Sequence, residues 1–408
     1  MITVAVRNRS PQIGETYQKL DSSAAGFKAM VYAVPTDVLA DILARLPTNA
    51  RRRVRLVCRL WRNLVDEWAP VDMRRRDKIL VVESWGFREV VHVLSPEGSR
   101  AELWRELDVA TACLYRRMNV VGTCNGIVCL CDDREPGGAI TLVNPSTGEE
   151  LCLPRLPTTS SSVELRLSLV RKSWHLQYAF ARHPETGRYT VVHVPWSYER
   201  FWEPGMVHVF TLGEALWRDV HAGPDAKCSP GLSSLAIIDA TLYWLTEDTD
   251  GKIRSFDLDH DRVTCIGPLP VPAKSSCCRL AKVHGMLGVA VDGDGGSTAV
   301  WVLEMDERWT LWFLMEAHGP RQLAMPHFAH GDCILTQGRR NENYYLHRHK
   351  TQTGAGQVLQ IGQKDGEEVT RLEHDIYRTF AYVETKEQLS VYSAALVTQR
   401  RRNQCTIV

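Results

Sequence analysis

The chain has 408 residues, 44% of them hydrophobic and 24% charged, a composition typical of globular domains rather than disordered chains. Its formal net charge is +1 at pH 7, so no overall electrostatic field favours binding to nucleic acid or to a membrane surface. No apolar run could span a bilayer and no signal-peptide pattern opens the chain, so we expect a cytoplasmic or nuclear protein with reduced cysteines.

Changes of pattern along the chain predict four segments. Residues 1–32 lack periodicity and are expected to form a poorly ordered leader, whereas residues 33–70 are expected to form a helical module. Residues 77–397 carry the signals of short strands and turns, and residues 398–408 are a basic tail. The predicted fold class is α+β multidomain, with a small all-α module ahead of a large all-β domain.

The helical module presents two apolar faces. One helix groups apolar residues at helical spacing and stops at a proline, and a second helix groups six more apolar residues. These residues are Val38, Leu39, Ile42, Leu43 and Leu46, then Pro47, then Val54, Val57, Cys58, Trp61, Leu64 and Val65. A unit of roughly 40 residues is too small to bury both faces alone. The surplus predicts either docking onto the downstream domain or binding of a separate partner.

This module resembles the F-box motif, beginning at Val34-Pro35 and running through the residues above to Trp61-Arg62. Two positions depart from the usual pattern, because Val34 replaces leucine and Arg51 replaces an apolar residue. The resemblance implies that the module binds a Skp-family adaptor, and through it cullin and RING subunits. The implied adaptor contacts are Val34, Pro35, Val38, Leu39, Ile42, Leu43, Leu46, Pro47, Val54, Val57, Cys58 and Trp61.

The long β-rich segment repeats a unit of about 40 residues with four strand signals. Five full units and one three-stranded unit predict a six-bladed β-propeller. The units are 78–107, 120–157, 178–220, 232–270, 280–316 and 327–361. The late strand Thr379–Val383 is expected to complete the three-stranded first unit, which would leave no long sheet edge open.

The β-rich segment resembles the F-box-associated domains of plant F-box proteins, through Gly122–Leu130, Asn144–Glu149, Leu242–Leu245 and Ile253–Leu258. The resemblance implies that the propeller holds a target protein, whose identity the sequence does not give. The chain would then be the substrate-recognition subunit of a Skp–cullin–F-box ubiquitin ligase, acting by proximity, with no catalysis and no cofactor of its own. Two alternatives stay open: a β-propeller enzyme, and a binding module that acts outside a ubiquitin ligase.

A segment inside the third unit is the candidate for contact with the target. It is longer than a hairpin turn and contains the residue types that dominate binding hot spots. These residues are Trp196, Tyr198, Arg200, Phe201 and Trp202. The alternative is that the aromatic side chains fold back and cover the core of their own blade.

Residues with metal-binding or nucleophilic chemistry do not follow diagnostic spacings. Cys124, Cys129 and Cys131 lack the paired spacing of zinc sites, and His347 and His349 lack a third ligand nearby. No phosphate-binding loop or nucleophile elbow occurs. We therefore expect no metal site.

The C-terminal tail contains a candidate lipidation site. Cys405 is fourth from the end, behind the basic cluster Arg400–Arg402, which is the arrangement of a prenylation signal. Val408 is not a usual final residue of such signals, and the alternative is an unmodified tail. A membrane partner is not expected.

Overall fold

A computed structural model divides the chain into two compact units, Met1–Pro70 and Val71–Val408. All the residues whose structure is described here belong to the second unit. They are 78–85, 88–95, 100–105, 118–157, 173–195, 205–223, 227–229, 233–246, 252–271, 277–293, 296–304, 307–315, 322–330, 333–340, 343–351, 358–361, 366–372 and 376–393. The predicted leader, helical module and tail therefore lie outside the described residues, and their boundaries stay predictions.

The second unit consists of six β-sheets that follow one another along the chain as blades of a propeller. Blade 1 contains β1 (Lys78–Trp85), β2 (Arg88–Leu94) and β3 (Arg100–Arg105); blade 2 contains β4 (Met118–Cys124), β5 (Ile127–Asp132), β6 (Ala139–Asn144) and β7 (Glu149–Cys152). Blade 3 contains β8 (Tyr178–Arg182), β9 (Tyr189–His193), β10 (Met206–Thr211) and β11 (Arg218–His221).

The remaining blades use the second half of the chain. Blade 4 contains β12 (Leu235–Ile238), β13 (Thr241–Leu245), β14 (Lys252–Asp257) and β15 (Arg262–Pro268). Blade 5 contains β16 (Cys278–Val283), β17 (Met286–Asp292), β18 (Thr298–Leu303) and β19 (Trp309–Met315). Blade 6 contains β20 (Gln322–Leu323), β21 (Ala329–His330), β22 (Cys333–Arg340) and β23 (Asn343–Lys350), and the chain then adds β24 (Leu359–Ile361), β25 (Glu367–Leu372) and β26 (Ile376–Tyr382). Short 3-10 helices occupy Trp174–Gln177 and Ser390–Tyr392.

A separate apolar cluster fills each of the six interfaces between neighbouring blades. Between blades 2 and 3, for example, Ile127 and Leu142 pack with Phe210, and between blades 4 and 5 Ile253 packs with Leu280. The middle strands are covered on both faces, which is why their sequences are nearly continuous apolar runs instead of alternating patterns. Strand β5 is buried along its whole length, with the sequence IVCLCD.

The ring closes through strand β26, which pairs antiparallel with β1 from Lys78↔Tyr382 to Ser84↔Ile376. Blade 1 therefore has the order β26–β1–β2–β3, and its innermost strand comes from the end of the domain. Contacts of β26 with β4, of β4 with β8, and of β8 with β12 place the first strands of successive blades side by side around the centre. The predictions of six blades and of a late closing strand are confirmed.

The structure differs from the predicted sixth unit, residues 327–361. Its end does not form the outer strand of blade 6, because β24 crosses to blade 5 and pairs in parallel with β19. The outer strand of blade 6 is β25, and β20 adds an inner strand before residue 327. Strands of two or three residues are too short to show a periodic signal, so the repeat pattern could not locate these boundaries.

No helix in the described ranges is long and apolar enough to cross a membrane.

Shortening the chain should show whether β26 closes the fold. Removing residues 376–408 deprives β1 of its partner and removes Phe380 and Tyr382 from the core between blades 1 and 2, so cooperative unfolding should be lost. Removing only residues 394–408 leaves every described contact in place and should have little effect. Urea unfolding followed by tryptophan fluorescence compares the two proteins, and equal transition midpoints would contradict closure by β26.

Candidate functional site

The segment after the closing strand, residues 383–393, runs from blade 1 over blade 2 to blade 3, and we call it the C-terminal strap. It ends in the 3-10 turn Ser390–Tyr392. Its Leu389 is fully buried in the apolar cluster between blades 2 and 3, whereas Val391 is 64% exposed. The strap thus anchors one side chain in the core and presents another at the surface.

The turn between β6 and β7 binds the strap through two side chains. The buried Asn144 uses its Oδ1 to accept from the Ser146 backbone N–H, which orders the turn. Its Nδ2 donates to the backbone carbonyls of Thr385, at 3.2 Å, and Glu387, at 2.6 Å. The Glu149 carboxylate accepts from the Leu389 backbone N–H at 2.7 Å and from the Ser390 hydroxyl at 2.9 Å. The motif Asn144–Glu149 therefore fixes the end of the domain.

The turn between β4 and β5 lets the strap approach closely. Gly126 has a φ of +80°, a conformation that favours glycine. A Cβ at this position would lie 2.5 Å from the Val383 carbonyl oxygen and 2.9 Å from the Thr385 nitrogen. Any larger residue would have to displace the strap backbone, so glycine is required both for the turn and for the contact.

The Glu387 carboxylate is the polar centre of the strap. Its Oε2 accepts from Asn125 Nδ2 at 2.8 Å and from the Tyr189 hydroxyl at 2.6 Å, and its Oε1 accepts from the Tyr392 hydroxyl at 3.0 Å. Burial, and then the hydrogen bond to Glu387, raise the pKa of both tyrosines, so they stay protonated and can donate. These three donors connect blade 2, blade 3 and the strap.

Two exposed aliphatic side chains are sequence neighbours of ring residues that pack on the cluster between blades 2 and 3. Leu216, in the turn between β10 and β11, is 64% exposed, and its neighbour Trp217 packs on the same apolar cluster as Tyr392. The Trp217 indole N–H donates to the Pro154 carbonyl at 2.9 Å, which fixes the ring. We define Leu216, Trp217, Val391 and Tyr392 as the strap surface. Exposed aliphatic side chains beside fixed aromatic rings are typical of protein-contact surfaces.

The structure does not test the site residues proposed from the sequence. The adaptor-binding set from Val34 to Trp61, the aromatic segment Trp196–Trp202 and Cys405 all lie outside the described residues. These assignments stay predictions.

One cluster has the residue types of a cysteine nucleophile but not the required electrostatics. The His175 Nδ1 lies 2.7 Å from Asp133 Oδ2, and the Cys131 thiol donates to Asp133 Oδ1 at 3.6 Å. Burial, and then the charge of Asp133, raise the pKa of the Cys131 thiol well above its usual value. A nucleophilic cysteine needs a lowered pKa, so this cluster is structural.

The central histidines are also held in an uncharged state. Burial lowers the pKa of His327 to about 3 and that of His330 to about 4. His327 Nδ1 accepts from the Ala381 backbone N–H at 3.1 Å, and His330 Nε2 donates to the His327 carbonyl at 2.7 Å. The His327 ring therefore joins blade 6 to the closing strand, and the His330 ring bonds within blade 6. Within the described ranges, no group of three or more His, Cys, Asp or Glu side chains could hold a metal ion.

Comparison with known proteins assigns the chain to a class. Residues 80–338 match the family described as "F-box associated beta propeller domain", and residues 33–68 match the F-box domain. The chain therefore belongs to the F-box-associated β-propeller family and carries an F-box ahead of the propeller.

Its relatives include plant F-box proteins. The chain is 23% identical over 340 residues to the F-box protein At3g07870 of Arabidopsis thaliana, covering 74% of this chain and 77% of the relative. It is 24% identical over 300 residues to the Arabidopsis F-box/kelch-repeat protein At3g23880, covering 66% and 75%. Among solved structures it is similar to TolB from Acinetobacter baumannii, with 10% identity, a TM-score of 0.46 and coverage of 79% and 73%.

The sequence indicated some strap contacts only indirectly. Asn125, Gly126 and Asn144 lie in the stretches that carry the family resemblance, but their sequence context predicts only turns. The role of Glu149 had no local signal, because its partner Leu389 is 240 residues away in the chain. Glu387 had no signal either, since two of its three donors lie in other blades.

Replacing Glu387 should loosen the strap. Glu387→Ala removes one acceptor from three donors, and hydrogen bonds to a charged group contribute about 1.5–3 kcal/mol, so we expect a loss of about 2–3 kcal/mol in the free energy of unfolding. Gln388→Ala, at the exposed neighbouring position, is the matched control and should be neutral within about 0.5 kcal/mol. Denaturant unfolding measures both variants, and equal stability of the two would show that the strap contributes nothing.

Proposed function

We propose that this protein is the substrate-recognition subunit of a Skp–cullin–F-box ubiquitin ligase. The observation that carries the proposal is the pairing of an F-box at 33–68 with an F-box-associated propeller at 80–338 in one chain. F-box domains generally bind Skp1-type adaptors. The adaptor would connect the chain to the cullin and RING subunits, while the propeller would hold a target protein.

The proposed mechanism is proximity, with no catalytic step in this chain. Holding the target beside the ubiquitin-conjugating enzyme raises the effective concentration of its lysines at the reactive thioester. We propose the cytoplasm or nucleus as its location.

Two surfaces are candidates for target contact. The strap surface is supported by the exposed Leu216 and Val391 beside fixed aromatic rings. The aromatic segment Trp196–Trp202 is supported by its composition alone. Their residues are separate in the sequence, so variants can distinguish the two surfaces.

The first test concerns the adaptor. Trp61→Ala should weaken co-purification with a Skp-family adaptor, since truncating a buried aromatic side chain costs about 3–5 kcal/mol. Trp68→Ala, outside the predicted contact set, is the matched control. Adaptor capture that survives deletion of residues 33–66 would refute the proposal, and adaptor capture without any cullin would favour a binding module outside ubiquitin ligases.

The second test concerns the target surface. Proximity labelling with the proteasome blocked identifies proteins held by the wild-type chain, and the double variant Trp196→Ala/Trp202→Ala should lose them if the aromatic segment makes the contact. Leu216→Ser/Val391→Ser examines the strap surface in the same assay. A variant that stays folded and retains every labelled protein rules out its surface as the receptor site.

A further inference from the structure

The outer strands of the blades differ in how their free edges are protected. Unpaired strand edges attract other strands, and proteins protect them with short length, charged side chains, proline or an added strand. Strands β7 and β11 have four residues each and contain charged side chains. Strands β3 and β25 have six residues and contain charges along their length.

In strand β15 of blade 4 such protections lie only at the two ends, at Arg262 and Pro268. It has seven residues, RVTCIGP, and the five between Arg262 and Pro268 are uncharged. Thr264, Cys265 and Gly267 are exposed, and no described strand pairs with the outer edge of β15. The bulge in its pairing with β14 lies at Lys252–Ile253, near the last residue of β15, and leaves the middle of the strand regular.

Blade 5 shows that an outer strand of this propeller can accept another strand. Strand β19 also has seven residues, and it pairs in parallel with β24 through Phe313↔Leu359, Leu314↔Gln360 and Met315↔Ile361. Blade 5 is thereby five-stranded, whereas blade 4 is four-stranded. The edge of β15 has the same length and an equivalent position, and no strand from the described part of the chain is added to it.

The side chains around β15 favour an acidic, β-branched segment. On one side Cys265 lies opposite Arg254, whose Nε is buried with no hydrogen-bond partner and which forms no ion pair with a described residue. Lys252 lies at the open end of the hairpin, whereas Arg262 at the turn end lies opposite Asp257 and next to Asp261, so Arg254 is the cation that faces the middle of the strand. On the other side, Ile266 belongs to the same apolar cluster as Tyr243 and Trp309. The Trp309 indole N–H donates to the Pro268 carbonyl at 3.1 Å and fixes that ring beside the strand.

We propose that β15 is an interaction surface that binds an extended, acidic segment of the target protein by strand addition. Backbone hydrogen bonds along the edge would supply affinity, and the alternating side chains of the added strand would meet Arg254 on one side and Ile266 on the other. The identity of the partner as a ligase target rests on the proposed function, but the strand addition does not.

A synthetic peptide tests the surface directly on the full-length chain. The probe is fluorescein-labelled, roughly nine residues long like an ordinary strand, and alternates valine with glutamate and threonine. It should bind with a rise in fluorescence anisotropy. Cys265→Glu puts a negative charge on the edge and should weaken binding about tenfold or more, whereas Cys152→Glu, at an exposed cysteine on the outer strand of blade 2, should not.

Two further comparisons distinguish strand addition from general stickiness. Alternate backbone N–H groups of a strand point to opposite edges, so N-methylation of either alternate set blocks one edge of the peptide. Only one edge of an added strand pairs with β15. One of the two methylated peptides should therefore lose binding and the other should keep it. Arg254→Gln should weaken binding of the glutamate-containing peptide and leave binding of the same peptide with glutamine in place of glutamate unchanged. Equal binding of both methylated isomers, or full binding to the Cys265→Glu variant, would overturn the proposal.

Competing occupants give different results in the same experiments. If a second copy of the chain covers β15, the wild-type protein is a dimer by light scattering and Cys265→Glu makes it a monomer, which also overturns the proposal. Adaptor binding is measured on every preparation. Loss of peptide binding with normal adaptor binding would refute only the β15 surface, whereas absent adaptor binding with normal peptide binding would refute only the ligase role.

Discussion

The pairing of β26 with β1 is the interaction on which the rest of the domain depends. It joins the two ends of the described region, and the ion pair between Lys78 and Glu384 at its margin spans 306 residues of sequence. The entropy lost in closing a loop grows only with the logarithm of its length, so such distant pairing is compatible with stability. The closed ring contains an apolar interface on each side of blade 1, because Val81 packs in the cluster with blade 6 and Val82 in the cluster with blade 2.

The strap extends the same closure into a surface. It continues directly from β26, and side chains of blades 2 and 3 hold its backbone and carboxylate at short range. Thr379 Oγ1, in β26 itself, donates to carbonyls of blade 6, so one continuous segment is bound by blade 6, blade 2 and blade 3 in turn. The strap surface therefore exists only in the closed ring.

The sequence predicted those parts of the fold that depend on residues close together in the chain. The 40-residue repeat and turn residues such as Gly148, with a φ of +72°, predicted the blade number, and the surplus late strand predicted the closure. The sequence did not predict that β24 joins blade 5, because a strand of three residues shows no periodic signal and its partner β19 belongs to another repeat. The strap network was missed because Asn144 and Glu149 act on backbone more than 200 residues away. The F-box contacts and the aromatic segment stay predictions.

The closed ring places the inner strands of its sheets side by side around the centre, whereas the outer strands lie at the periphery. The interfaces between blades are apolar, and burial holds the ionisable groups within them, such as Cys129, in their neutral forms. The main effect of a substitution in these interfaces is therefore a change in the stability of the fold. The outer strands differ from blade to blade: β7, β11 and β25 contain charges, β19 is covered by β24, and β15 pairs with no added strand among the described residues. Residues on an outer edge can therefore change while the apolar clusters between the blades stay intact.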